Sequence, residues 1–136
     1  MYEISADPAR LDVPRVHKWL STDAYWALDR PLAKQEAAIA GSLNFGAYDT
    51  VTGEQHGYAR VVTDFATFAW LCDVYVAPEA RGQGLGTTLV AAVRDHLKPH
   101  GLRRIVLVTS DAHGVYGKVG FEVVDDPEKW MTLLLQ

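Results

Sequence analysis

A glycine-rich stretch, Arg81-Gly-Gln-Gly-Leu-Gly86, constrains this chain more than any other part of its sequence. Apolar and β-branched residues over 67–76 predict a strand before it, which Pro78 ends because proline cannot donate a ladder hydrogen bond. After the glycines, aliphatic residues recur every fourth position over 85–97 and predict an amphipathic helix over 84–98. Glycines let backbone N–H groups approach a ligand closely at the positive end of a helix. This order of strand, loop and helix predicts a site for a phosphate or pyrophosphate group.

Two common phosphate-binding loops do not fit this stretch. A Walker A loop needs lysine after its last glycine, and here Gly86 is followed by Thr87. A dinucleotide-binding loop follows its strand directly and has an acidic residue about 20 positions later. Here a proline-containing connector precedes the glycines, and the later region carries Arg103 and Arg104.

The stretch instead resembles the acyl-CoA signature of the GNAT acetyltransferase superfamily, Arg/Gln-x-x-Gly-x-Gly/Ala. Arg81, Gly84 and Gly86 match that signature in order, and residues 74–79 match its usual lead-in. The resemblance implies that the loop binds the CoA pyrophosphate and that the end of the strand pairs with pantetheine. The cofactor-binding residues expected on this basis are Val74, Tyr75, Val76, Arg81, Gly82, Gln83, Gly84, Leu85, Gly86 and Thr87.

Length and charge limit what else the chain can be. A sequence of 136 residues predicts a single domain over 1–136. The formal net charge of −4 argues against a nucleic-acid partner, and a single cysteine excludes an internal disulfide or a cysteine-rich zinc site. No signal peptide is evident and the aliphatic runs are too short to span a membrane, so we expect a soluble, cytoplasmic protein. The sequence leaves open whether the protein forms a homodimer.

The remaining pattern predicts an α+β fold. Helices are expected from Asp12 and over 31–40 and 112–119, and strands over 2–5, 43–48, 56–62, 103–109, 121–124 and 130–135, the last two as a hairpin. This order is similar to the whole GNAT fold, an α/β/α arrangement with about seven mostly antiparallel strands and about four helices. The resemblance also implies that strand 67–76 is bulged and splays from its parallel neighbour, 103–109.

A second motif, Val115-Tyr-Gly-Lys-Val-Gly-Phe121, resembles the superfamily's late helix-to-strand motif. The resemblance implies that the Tyr116 hydroxyl faces the CoA sulfur. Because an ordinary thiol has a pKa of about 8.5 and tyrosine about 10, Tyr116 is expected to donate a hydrogen bond as much as a proton. The alternative is a core tyrosine. Where the family often has asparagine, seven residues earlier, this chain has Thr109.

Asp73 lies in an otherwise apolar strand, where an unpaired charge would be costly. We therefore expect it to face a cleft or a partner. The resemblance implies that it binds or deprotonates the acceptor amine, directly or through water. The alternative is a structural carboxylate bonded to the backbone or to Arg60, with His113 or Asp111 as the base.

The acceptor site is expected to include Tyr25, Trp26, Asp73 and His113. Tyr25 and Trp26 lie in an aperiodic segment between two helices and could form the lip of a cleft, or merely pack on the core. No metal is expected, because His96 and His100 are separated by Pro99 and lack a third ligand. The whole resemblance implies transfer from acetyl-CoA, as co-substrate, to a small amine in a ternary complex. A protein or peptide amine, or a non-catalytic acyl-CoA-binding module, is the alternative.

Overall fold

The structure, a computed structural model, describes residues 1–136 as five strands and four α-helices. The strands are β1 (Tyr2–Ser5), β2 (Leu43–Asp49), β3 (Gln55–Thr63), β4 (Phe68–Val76) and β5 (Arg104–Val106). The helices are α1 (Val13–Asp23), α2 (Leu32–Ala40), α3 (Leu85–Leu97) and α4 (His113–Val119). The predicted α+β class and number of helices are confirmed.

One mixed sheet has the strand order β1-β2-β3-β4-β5. Neighbouring strands are antiparallel from β1 to β4, with short turns joining β2 to β3 and β3 to β4, whereas β4 and β5 are parallel because α3 connects them. Asp12 caps α1, since its Oδ1 accepts a hydrogen bond from the Arg15 N–H at 3.2 Å. The sequence pattern therefore predicted the antiparallel strands, the crossover and this helix start.

The core lies on both faces of the sheet. The predicted stripe of α3 is buried together with Val90 and packs on side chains of β2, β3 and β4. On the opposite face, Val16 and Leu20 of α1 pack with Tyr58 and Tyr75. Burial on both faces explains why β3 and β4 carry so few exposed side chains. No helix combines the length and the apolar character that crossing a membrane would require.

The predicted hairpin over 121–124 and 130–135 is wrong, so the sheet has five strands rather than seven. Residues 122–125 and 131–136 make no backbone–backbone hydrogen bond, and β5 is shorter than the predicted 103–109. Strand propensity there is high, but a strand exists only when a partner satisfies its backbone groups.

β4 is bulged, and this bulge positions the site. Tyr58 of β3 pairs with Tyr75 of β4, and Arg60 pairs with Cys72. Between these two pairs, β3 advances by two residues and β4 by three, so β4 contains one additional residue. The additional residue lies at Asp73, whose φ of 51° is unusual for a residue other than glycine. Pairing of β4 with β5 reaches only Trp70 and Val106, so the two strands separate beyond this point.

Candidate functional site

The glycine loop presents an uninterrupted row of free donors. None of the backbone N–H groups from Gly82 to Thr87 donates a hydrogen bond within the chain. Gly82 and Gly84 have φ values of 80° and 76°, a region that only glycine enters readily, and Gly84 directly precedes α3. Free N–H groups that converge at a helix N-terminus form an anion site. The loop therefore offers the donors that an anion needs, and its binding of the CoA pyrophosphate stays a prediction.

Arg81 is held against the protein rather than extended from the loop. Its Nε donates to the Val76 carbonyl at 2.9 Å, its Nη2 donates to Asp23 at 3.2 Å, and its guanidinium lies over the Tyr75 ring. The Tyr75 hydroxyl also donates to Asp23 at 2.6 Å. Burial, then this hydrogen bond, raises the pKa of Tyr75 to about 12. Arg81 thus ties the loop to the end of β4 and to α1.

The separation of β4 from β5 leads from this loop toward α4. Val74 and Val76 are half-buried along this part of β4. Val74 packs on the core between α3 and the sheet, and Val76 packs on a smaller cluster that includes Leu85. Because β5 does not pair beyond Val106, backbone groups of β4 that point toward it have no strand partner. An extended ligand can pair with such an edge through its amides.

Tyr116 lies in α4, half-buried beside Phe121, with the ring centroids 5.9 Å apart. Its hydroxyl makes no hydrogen bond within the chain. Burial, with smaller effects of Tyr25 and Asp111, raises the pKa of Tyr116 above its usual value. The phenol therefore stays protonated at neutral pH and is available to donate a hydrogen bond. Thr109, at the position of the family's asparagine, accepts a hydrogen bond from the N–H of Ala112, the residue that precedes α4, at 3.1 Å.

Tyr25 and Trp26 together bridge the two separated strands. The Trp26 Nε1–H donates to Asp73 on β4 at 2.8 Å, and the Tyr25 hydroxyl accepts from the Ser110 hydroxyl, beyond β5, at 2.8 Å. The two rings meet edge-on at 5.0 Å, and both side chains are about half exposed. The pair crosses the opening rather than packing inside the core, and its role as the lip of an acceptor site stays a prediction.

Asp73 lies at the centre of a buried ionic network. Its carboxylate accepts from Arg30 Nη1 and from Arg60 Nε, both at 2.8 Å, besides Trp26. Burial alone would raise the pKa of Asp73, but the hydrogen bonds and charges of the two arginines outweigh it and hold the pKa below its usual value. The role of Asp73 as base stays a prediction, and these contacts favour the alternative of a structural carboxylate. Arg30 is the partner that sequence reasoning missed, since 43 residues separate it from Asp73.

A second polar cluster contains Glu54, His56 and Glu79, whose potential ligand atoms lie within 4.8 Å of one another. Arg15 already serves as its cation, because its Nη2 contacts Glu54 at 2.8 Å and Glu79 at 3.3 Å. The cluster is therefore an ion-pair network. His113, expected near the acceptor, lies exposed at the start of α4, one helical turn before Tyr116.

Comparisons with known proteins agree with this geometry. The family model described as the acetyltransferase (GNAT) family matches residues 13–121. A Gibberella zeae protein, provisionally named an acetyltransferase, is 35% identical over 86% of this chain and 76% of its own length. A crystallised Xanthomonas campestris pv. campestris protein, provisionally assigned to the same family, is 44% identical. It has a TM-score of 0.92, covering 99% of this chain and 94% of that one.

A more distant structure, a Clostridium acetobutylicum protein described as a predicted acetyltransferase, was solved with acetyl-CoA. It is 20% identical, has a TM-score of 0.69 and covers 99% of this chain and 97% of that one, so its likeness concerns the fold alone. The residues matched by the family model include the glycine loop, the bulged β4 and the separated β5. This chain therefore belongs to the GNAT family of acetyltransferases.

Proposed function

We propose that the chain transfers an acetyl group from acetyl-CoA to the primary amine of a small molecule, by direct attack in a ternary complex. The row of free N–H groups from Gly82 to Thr87 carries this proposal, because successive backbone donors at a helix N-terminus form a site for a diphosphate. Related folds solved with acetyl-CoA or CoA support the choice of co-substrate. The opening between β4 and β5 would take the pantetheine arm.

In the proposed reaction, the amine nitrogen attacks the thioester carbonyl carbon, and the carbon–sulfur bond then breaks. The electron pair of that bond leaves on sulfur as a thiolate, and the nitrogen releases a further proton to water as the neutral amide forms. The Tyr116 hydroxyl is protonated and has no partner in the chain, so it can donate a hydrogen bond to this sulfur. Holding the amine close to the thioester supplies most of the remaining acceleration.

The attacking amine must first lose its ammonium proton. Asp73 is a poor acceptor for it, because two arginines already stabilise its charged form. Asp111 and His113 lie exposed shortly before Tyr116 in the chain, and Asp111 is close enough to affect the pKa of Tyr116. We therefore propose that one of these, or a water that they hold, takes the proton, and that Asp73 holds Trp26 over the acceptor.

The bridge formed by Tyr25 and Trp26 supports a small acceptor rather than a protein chain. A peptide needs an open groove on both sides of the reacting amine, whereas hydrogen bonds to Asp73 and Ser110 anchor this bridge across the opening. Aromatic side chains at the opening suit a small ligand that becomes largely enclosed.

The test is release of CoA thiol from acetyl-CoA in the presence of a panel of small amines, with peptides as a parallel set. We expect release above background with at least one small amine and none with peptides. Mass spectrometry of the product would identify an N-acetyl group. Faster release with peptides would overturn the acceptor class. CoA binding without release across both sets would favour a non-catalytic acyl-CoA-binding module.

A further inference from the structure

The buried network at Asp73 carries more positive than negative charge. Arg30 and Arg60 each form an ion pair with Asp73 and with no other acidic residue. Their other partners in the chain are neutral, because Arg30 Nη1 also donates to the Gln35 side-chain carbonyl at 2.9 Å and Arg60 Nη1 donates to the Ser42 hydroxyl at 3.2 Å. Two guanidinium groups and one carboxylate therefore leave one positive charge in excess.

No neighbouring group compensates this charge. The other ionisable side chains beside the network are Cys72 and Tyr58. Burial raises the pKa of the Cys72 thiol to about 11 and also raises the pKa of the Tyr58 phenol, so both groups are neutral at pH 7. A buried charge without a counterion is costly, so an excess of this kind favours a ligand of opposite charge.

The two arginines also have unused hydrogen-bond donors. Arg30 Nε and Arg60 Nη2 donate no hydrogen bond within the chain, and both nitrogens reach the solvent. Arg30 Nη2 and Trp26 Nε1 share the Oδ1 atom of Asp73, at 3.3 and 2.8 Å, so this edge of the guanidinium lies beside the indole. The excess charge and the unused donors therefore surround the carboxylate that anchors the aromatic bridge.

The network also borders the opening proposed for the pantetheine arm. Asp73 is three residues beyond Trp70, the last residue of β4 that pairs with β5. A ligand group held at the network leaves the other end of a small molecule free to extend into this opening. Fixing one end of an acceptor in this way supplies the orientation that direct attack on a thioester requires.

We propose that the acceptor is an amino carboxylate, a small molecule whose carboxylate binds Arg30 and Arg60 while its amine is acetylated. A guanidinium group is a planar fork of donors that matches the two oxygens of a carboxylate. A carboxylate brings one negative charge and makes the network neutral, whereas a phosphate group brings nearly two and leaves it negative. This inference rests on the proposed acetyl transfer and names the class of its acceptor.

The first test compares pairs of acceptors with the unaltered protein. L-amino acids, β-alanine and 4-aminobutyrate are assayed for CoA thiol release beside their carboxamides, which keep the amine and lose the charge. In the pair that reacts fastest, we expect kcat/KM to be at least about tenfold higher for the carboxylate. A carboxamide that reacts equally well in that pair would overturn this inference and leave the acetyl transfer standing. Faster reaction of 2-aminoethylphosphonate than of β-alanine would do the same.

Calorimetry tests the site without the reaction. The same pairs are titrated into protein saturated with CoA, and we expect the carboxamides to bind at least about tenfold more weakly than the carboxylates. This preference without any thiol release would refute the acetyl transfer but support the carboxylate site. Equal binding within every pair, or no binding of any carboxylate, would refute the site.

Variants of Arg60 test whether the network causes the preference. Arg60→Gln makes the network neutral and leaves Asp73 paired with Arg30, so the preference for the carboxylate should fall below about threefold. Arg60→Lys keeps the charge but loses the planar fork, and should give an intermediate preference. Arg10→Gln is the matched control, because Arg10 is exposed and pairs with Glu3, and its preference should equal that of the unaltered protein.

The preference is a ratio measured within one protein, so a variant that folds only in part still gives a valid value. Calorimetry with CoA measures the folded fraction of each variant. An unchanged preference in Arg60→Gln would refute the assignment of the carboxylate to this network, as would an equal loss in the Arg10→Gln control.

Discussion

Replacing Asp73 by asparagine tests whether the buried network is structural. Asparagine keeps the shape of the side chain and, like aspartate, tolerates the positive φ of 51° at this position. It removes the negative charge, however, and puts an NH₂ group where one carboxylate oxygen accepted hydrogen bonds. Arg30 and Arg60 then face each other without their shared counterion, although both keep their positive charge.

The expected loss of stability follows from the contacts. The Asp73 side chain is 1% exposed, and those of Arg30 and Arg60 are 16% and 15% exposed. Breaking a buried ion pair by removing one partner costs about 3–5 kcal/mol. Because both guanidinium groups keep some contact with water, we expect a loss at the lower end of this range. Asp73→Asn should therefore reduce the free energy of unfolding by about 3 kcal/mol. This is a large fraction of the ~5–15 kcal/mol that stabilises a typical domain.

The pH dependence of this difference has a definite sign. The pKa of Asp73 is lower in the folded state than in the unfolded state, so its contribution is fully present above the unfolded pKa of about 4. The contribution is lost as the pH falls through the folded pKa, because the carboxylate then becomes protonated. The two proteins should therefore differ most near pH 7 and converge in acid below about pH 4.

Urea unfolding at pH 7 and at pH 3.5 measures both effects. Asp29→Asn is the matched control, because Asp29 also has a positive φ, of 62°, but is exposed and forms no ion pair. That control should change the unfolding free energy by no more than ~0.5 kcal/mol at either pH. A loss below about 1 kcal/mol for Asp73→Asn would refute the structural role. So would an activity profile in which only the unaltered enzyme has a pKa near 7, since that would make Asp73 the base.

Three further predictions concern the proposed site. Tyr116→Phe should lower kcat about ten- to a hundredfold, with the unfolding free energy unchanged because the hydroxyl has no partner in the chain; a defect confined to KM for acetyl-CoA would contradict this. Gly86→Ala adds a methyl group 3.8 Å from Val76 without backbone strain, and calorimetry should give a CoA Kd raised by roughly tenfold; the control Gly41→Ala should bind normally. Trp26→Phe removes the bond to Asp73 and should raise KM for the acceptor about tenfold, whereas an unchanged KM would exclude the lip.

Much of the fold was predictable because its signals are local. Each of these signals depends on residues that are close in sequence. They are the apolar residues at every fourth position of α3, the N-cap at Asp12 and the glycines before Leu85. The bulge in β4 came from the resemblance to the GNAT family and agrees with the register of β3 and β4. No local pattern would have placed it at Asp73.

The sequence by itself determined the elements that form their backbone hydrogen bonds locally or that carry a motif. These elements are the helices, the turns between antiparallel strands and the glycine loop. Only the tertiary structure decided which distant residues meet. It paired Asp73 with Arg30, because a buried charge takes whichever partner the fold brings near, and it set Tyr25 against Ser110 across the opening between β4 and β5. It also left residues 121–135 without a strand, since a helix closes its hydrogen bonds within itself, whereas a strand must find a neighbour.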